Sequence, residues 1–198
     1  PHGYILVNTN FPVVNPRFSA GSKNEMDAMV LAGFSADFAA SYIRDARVAY
    51  QGIVNLLAEL LEAFPAEHFV LRPHPFENAQ AYASLLTSPN FEVRQEGTSL
   101  EWINQASALV HLNCSTAIEA SMLGCEALSP AWLDTPALHM SGPHSVSLHA
   151  NSVVELVDMI RTRGAGEAPP ASSCIVAARQ TVFREIYHAI DGKAAERV

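Results

Sequence analysis

Two segments carry residue types whose spacing can do chemistry: Arg72-Pro73-His74-Pro75 and Asn113-Cys114-Ser115-Thr116-Ala117-Ile118-Glu119. In the first, two prolines flank His74 and keep it out of any helix. Arg72 offers a planar fork of donors that suits a phosphate. His74 can donate to a phosphate oxygen or protonate a leaving group. The alternative is a loop in which proline only ends a strand and His74 is solvated. In the second segment, small side chains lead into a helix whose first N–H groups attract an anion. Ser115 and Thr116 add hydroxyl donors there. Glu119 lies on a neighbouring part of the same helix face and can accept hydrogen bonds from ribose hydroxyls. Phosphate at the helix start and ribose at the first-turn acid together describe a nucleotide. The plainer alternative is a Ser115 or Thr116 N-cap, with Glu119 complementing the helix dipole.

A third polar cluster, Asn8-Thr9-Asn10, can cap the next element or contact a sugar or phosphate. Asp134, His139, His144 and His149 fall in a long loop-like stretch. They read as part of a ligand lid or as solvated loop residues, and their spacing matches no metal signature. Cys114 sits beside the phosphate candidate, where a small filler fits better than a nucleophile, since no partner residues form a triad.

The elements that must position these residues alternate along the chain. Tyr4–Val7, His68–Leu71, Phe91–Arg94, Ala108–Leu112 and Ala127–Ser129 read as strands. Between them, helical periodicity marks a short segment near Met26–Leu31, a long helix capped by Ser35 and stopped by Pro65, and Asn78–Leu86. A brief helix capped by Ser99 and the helix Thr116–Leu123, closed by Gly124, follow. Residues 132–150 read as loop, and 152–161 and 173–190 as helices joined by GAGEAPPASS. Ala108–Leu112 is apolar at nearly every position, which marks a strand buried on both faces, as in a parallel sheet. Alternating strands and helices with short loops define an α/β, doubly wound, mostly parallel sheet. Ligands bind such sheets at the carboxyl ends of the strands. All three polar clusters fall just after strands, so in a parallel sheet they converge on one edge.

The totals agree with this class. The chain has 198 residues, 49% of them hydrophobic and 16% charged, enough for a sizeable core. A net charge of −8 argues against a general nucleic-acid or membrane-surface binder. Three cysteines without paired or zinc-type spacing point to a reducing compartment. No apolar run reaches the length of a membrane span.

With both motifs in view, the chain resembles the C-terminal half of GT-B-fold glycosyltransferases. The likeness rests on "RPHP" after one strand and on the pattern N-x-S-T-A-x-E-A-x-x-x-G after another, and it covers roughly residues 4–130. It is strongest toward bacterial surface-carbohydrate biosynthesis proteins, including Kdo-transferase-like enzymes of capsule and lipopolysaccharide assembly. The opening YILVNTNF is similar to the first strand of this half in that group. The motifs are also similar to those of bacterial sialyltransferases, polysialyltransferases and CDP-glycerol glycerophosphotransferases, and more distantly to UDP-sugar 2-epimerases.

The resemblance implies that Arg72 and His74 contact the donor phosphate, with His74 the catalytic candidate. It implies that Ser115 and Thr116 bind the same phosphate through hydroxyls and backbone, that Glu119 holds the ribose, and that Asn113 lines the site, with Asn8 and Asn10 nearby. The implied donor is a nucleotide-sugar, in these families often CMP-activated, such as CMP-Kdo. The implied acceptor is a glycan or glycolipid bound through a second domain. No metal or other cofactor is required, and the implied location is the bacterial cytoplasm. The expected organisation is a Rossmann-like nucleotide-sugar-binding domain over residues 1–165, with linker and C-terminal helix, 166–198, packing on it. Relatives usually carry Gly-Lys-Pro where this chain has Gly124-Cys125-Glu126, a departure past the site. An epimerase-like or glycerophosphotransferase-like domain and a non-catalytic partner-binding domain are the rival readings.

Overall fold

The computed structural model describes residues 3–18, 25–167, 172–187 and 193. Part of the 164–173 linker and residues 188–190 of the last expected helix lie outside them. Among the described residues, six strands form one sheet: β1 (Ile5–Asn8), β2 (Phe69–Arg72), β3 (Phe91–Val93), β4 (Ala108–His111), β5 (Ala127–Pro130) and β6 (Leu148–Ala150). Their order is β3-β2-β1-β4-β5-β6, and every adjacent pair is parallel. The chain therefore winds outward from β1 in one direction, returns to the centre, and winds outward from β4 in the other. The reversal lies between β1 and β4, which makes their carboxyl ends the crevice where ligands bind in such sheets.

Helices cover both faces, and the strand residues alternate between two cores. Ile5, Val7, Phe69, Leu71, Val110 and Leu128 pack into one core. Leu6, Val70, Leu109 and Ala127 pack into the other. Period-two alternation with apolar residues in both sets is what a doubly covered strand requires.

The helix α2 (Ala36–Ala63) dominates the first core. It begins where Ser35 Oγ accepts from Phe38 N at 3.2 Å, and it ends at Phe64, ahead of Pro65. Ala46, Ala49, Ile53, Leu57 and Leu60 form its buried stripe. Burying each large member stabilises the fold by roughly 1.5–3 kcal/mol. A short helix α1 (Glu25–Leu31) precedes it, and α3 (Ala79–Leu85) starts from an Asn78 cap.

Three sequence expectations change. The helix α4 (Ser99–Ile103) is capped by Thr98, not Ser99: Thr98 and Glu101 form a reciprocal capping box. This frees Ser99 for another role. Second, the helix α5 (Thr116–Met122) lacks a side-chain cap, because Ser115 at its start has helical φ and ψ. Gly124, at φ 75°, closes its far end.

Third, the stretch 132–150 is not a loop. It holds a 3-10 turn at Ala131–Leu133, the helix α6 (Ser141–Val146) and β6. These elements are short, and α6 contains Gly142 and Pro143, so propensity hides them. Tertiary packing makes them: β6 pairs with β5, and Val146 is fully buried. The helix α7 (Val153–Gly164) follows a Ser152 cap. The helix α8 (Ser173–Tyr187) is held by Arg179, which pairs with Glu126 at 2.9 Å and donates from Nε to Val146 O. Among the described residues no helix is long and apolar enough to cross a membrane.

Candidate functional site

The sheet register brings three polar residues side by side. Asn8 pairs with Arg72 on one side and with His111 on the other. Asn8 is 3% exposed. Its Nδ2 donates to Thr116 Oγ1 at 2.9 Å, across the crevice between β1 and β4. Its Oδ1 is buried and has no partner. A buried carbonyl oxygen without a donor is costly, so this one marks a place where a donor is owed.

On the other side of β1, Arg72 Nη2 donates to Gly97 O at 2.6 Å, while its Nε is buried without a partner. The turn after β2 is organised by Glu77, which is fully buried. Glu77 Oε1 accepts from Thr9 Oγ1 at 2.8 Å and from His74 N at 2.9 Å, and Oε2 accepts from Tyr82 OH at 2.6 Å. Burial first, then the charge of Glu77, pushes the Tyr82 phenol well above its ordinary value, so it stays a donor. Glu77 thus locks the ends of β1 and β2 together from beneath. Gln95 Nε2 adds bonds to the carbonyls of His74 and Glu77.

This scaffold also fixes the chemistry of His74. Phe76 N donates to His74 Nδ1 at 3.2 Å. In the neutral ring the proton therefore sits on Nε2, the nitrogen that can donate to an incoming oxygen.

Across the crevice, His111 sets the turn that leads into α5. Cys114 N donates to His111 Nδ1 at 3.3 Å, so Nε2 carries the proton and donates to Ser147 Oγ at 2.8 Å. Ser147 in turn donates to Pro143 O. Burial, then the neighbouring His149 and His144, lowers the His111 pKa from 6.5 to about 3, so the ring stays neutral. Asn113 occupies the left-handed region at φ 52°, which Asn tolerates. Its side chain donates to Asp134 Oδ1 at 2.6 Å. Thr116 Oγ1 donates to Cys114 Sγ, so its hydroxyl proton is already engaged. What this helix start offers a ligand is backbone and the exposed Ser115 hydroxyl. Burial also raises the Cys114 pKa, which keeps it a thiol.

Glu119 Oε2 accepts from Ser99 Oγ at 2.7 Å, the role that the Thr98 cap leaves open to Ser99. Glu119 Oε1 takes no hydrogen bond among the described residues. Asn10 lines a small cavity of about 110 Å³ together with Phe11, Tyr42, Asn113 and His139. Larger recesses, about 520 Å³ beside α1 and α2, about 560 Å³ between α6 and α8 and about 240 Å³ beside Phe64 and Ile160, are lined by none of these residues. The ends of β1, β2 and β4 and the turns that follow them form the ledge along this edge of the sheet.

The structure therefore brings Asn8, Arg72 and Thr116 to one edge, with His74, Asn113, Ser115 and Glu119 on the turns and helix that follow. Sequence reasoning missed His111 and the hub role of Glu77. A histidine ending an apolar strand, and a glutamate three residues past a Pro-bound histidine, were the signals available. The four loop residues also differ from expectation. Asp134 Oδ2 and His139 Nδ1 lie 2.7 Å apart, His139 and His144 have ring centroids 4.7 Å apart, and His144 stacks on His149 at 3.9 Å.

No protein-family model matches the chain, and no curated protein matches it. The fold is similar to that of the calicheamicin glycosyltransferase CalG4, with a TM-score of 0.50 and 13% identity, over 100% of this chain and 41% of that one. A fainter similarity, with a TM-score of 0.41 and 18% identity, links 95% of this chain to 40% of the glycosyltransferase of kitacinnamycin. The chain thus spans about two fifths of the length of each of these proteins. At 13% identity the likeness to CalG4 shows the fold alone: a Rossmann-like α/β unit.

Proposed function

We propose that this chain is the nucleotide-sugar donor-binding half of a glycosyltransferase acting in bacterial surface polysaccharide synthesis, with a CMP-activated sugar such as CMP-Kdo as donor. The observation that carries the reading is the ledge at the topological switch point, where Asn8 and Arg72 hold buried polar atoms without partners. The donor phosphate rests on the start of α5 and the Ser115 hydroxyl, between Arg72 and His74. His74 donates from Nε2 to a phosphate oxygen and offsets charge on the leaving nucleotide as the glycosidic bond breaks. Glu119 accepts a ribose hydroxyl on Oε1. Protein donors do this work, so no metal is needed at the phosphate. The acceptor glycan or glycolipid binds through a second domain. Three free cysteines agree with a reducing cytoplasm.

The epimerase reading needs carboxylates that face the sugar. Glu77 is fully buried and engaged by three donors, which leaves Glu119 alone and weighs against it. The partner-binding reading has one observation in its favour: Leu31, Phe34, Phe38 and Val48 are exposed on and beside α1 and α2. The deciding experiment is calorimetric titration of the chain with CMP, CDP and UDP. Binding of a cytidine nucleotide, weakened in His74→Ala, supports the donor site. Absence of heat with every nucleotide at millimolar ligand contradicts it.

A further inference from the structure

The stretch after β5 brings together residues that the sequence keeps five positions apart. One ligand atom each from Asp134, His139 and His144 lies within 4.8 Å of the others. Two imidazoles and one carboxylate are a common donor set for a divalent first-row transition ion. Nitrogen and oxygen ligands about 2.0–2.2 Å from a tetrahedral ion stand roughly 3.3–3.6 Å apart. Closing the remaining gap takes a shift of about an ångström, and His139 is exposed enough to supply it.

Asp134 is already oriented for this task. Asn113 Nδ2 and Thr135 N both donate to its Oδ1, which presents Oδ2 toward His139. Neighbouring donors that hold a ligating carboxylate in one pose are a regular part of metal sites. A second, independent observation is His149. Its Nδ1 is buried with no partner, and its ring stacks on His144. The rings of His139, His144 and His149 thus adjoin one another, with centroids 4.7 Å and 3.9 Å apart, and Asp134 meets the first of them.

We propose that Asp134, His139 and His144 form a binding site for one divalent transition ion such as Zn²⁺, with open coordination positions for water. Asp134 also holds Asn113, so an ion there braces the turn that leads into α5. The site is separate in its ligands from the phosphate ledge and does not depend on nucleotide binding.

The test is calorimetric titration of metal-stripped chain with Zn²⁺ alone, in a Cys174→Ser background to remove the exposed thiol. A parallel thermal-shift series uses the same samples. The expected result is one equivalent of Zn²⁺ bound, a rise in Tm reversed by chelator, and affinity lowered at least ~10-fold in His139→Ala. His139 is exposed, so this variant keeps the fold; His144→Ala is the second variant. Absence of stoichiometric Zn²⁺ binding overturns the proposal. So does unchanged affinity in both histidine variants, which would move the ion elsewhere.

Discussion

Asn8, at the end of the central strand, and Thr116, at the first turn of α5, are joined by a 2.9 Å hydrogen bond that spans the crevice between β1 and β4. The bond uses the amide nitrogen of Asn8 and leaves its buried oxygen without a donor. The same side chain thus anchors the helix that begins the candidate site and leaves one buried polar atom without a partner.

Replacing that side chain separates the two roles. Asn8→Ala is expected to lower stability by about 1–2 kcal/mol, the range for one lost internal hydrogen bond and a small cavity. It is also expected to weaken nucleotide binding about tenfold. Urea unfolding and titration calorimetry read the two effects. Unchanged affinity would remove Asn8 from the site.

Glu77 is structural, and its loss is the more severe. Three donors, Thr9 Oγ1, His74 N and Tyr82 OH, end on this one buried carboxylate. Glu77→Ala strands all three and is expected to cost about 3 kcal/mol or more. Glu77→Gln keeps an acceptor and is expected to cost less. A mild effect of Glu77→Ala in urea unfolding would refute the hub role.

Much of the frame was legible in the sequence. The apolar stretch Ala108–Leu112 and the polar clusters at the ends of β1, β2 and β4 announced a parallel sheet with those clusters on one edge. The residues 132–150 were not legible, for a physical reason. A three-residue strand has no period to read, and α6 is a poor helix former held in place by Val146 and its contacts with α8. The partners of Asn113 and Glu119 were equally hidden, since Asp134 and Ser99 lie about twenty positions away. Sequence spacing carries period, not long-range pairing.

The buried ring of His111 makes stability depend on pH. Its pKa falls from 6.5 to about 3 in the fold, mainly through burial. The unfolded chain therefore binds a proton that the native chain refuses. Stability from this group is fully present above pH 6.5 and is lost as pH falls from there toward 3. Urea midpoints at about pH 7.5 and pH 5 are expected to fall, and to fall less in His111→Asn. Equal falls in both proteins would place the dependence elsewhere.

Arg179 clamps α8 to the sheet side of the molecule. It meets Glu126 through two nitrogens and Val146 O through a third, and its side chain is 13% exposed. Arg179→Ala is expected to cost about 1–2 kcal/mol and to raise hydrogen exchange in α8 before other helices. Arg179→Lys restores the charge without the fork and is expected to rescue only in part.

The central claim is that the ledge at the switch point holds a nucleotide phosphate against His74. The most direct measurement is a thermal-shift panel of CMP, CDP, UMP, UDP, GDP and ADP on the chain and on His74→Ala. Selective stabilisation by a cytidine nucleotide, lost in His74→Ala, is the expected result. No stabilisation by any nucleotide, or an equal shift in the variant, would contradict it.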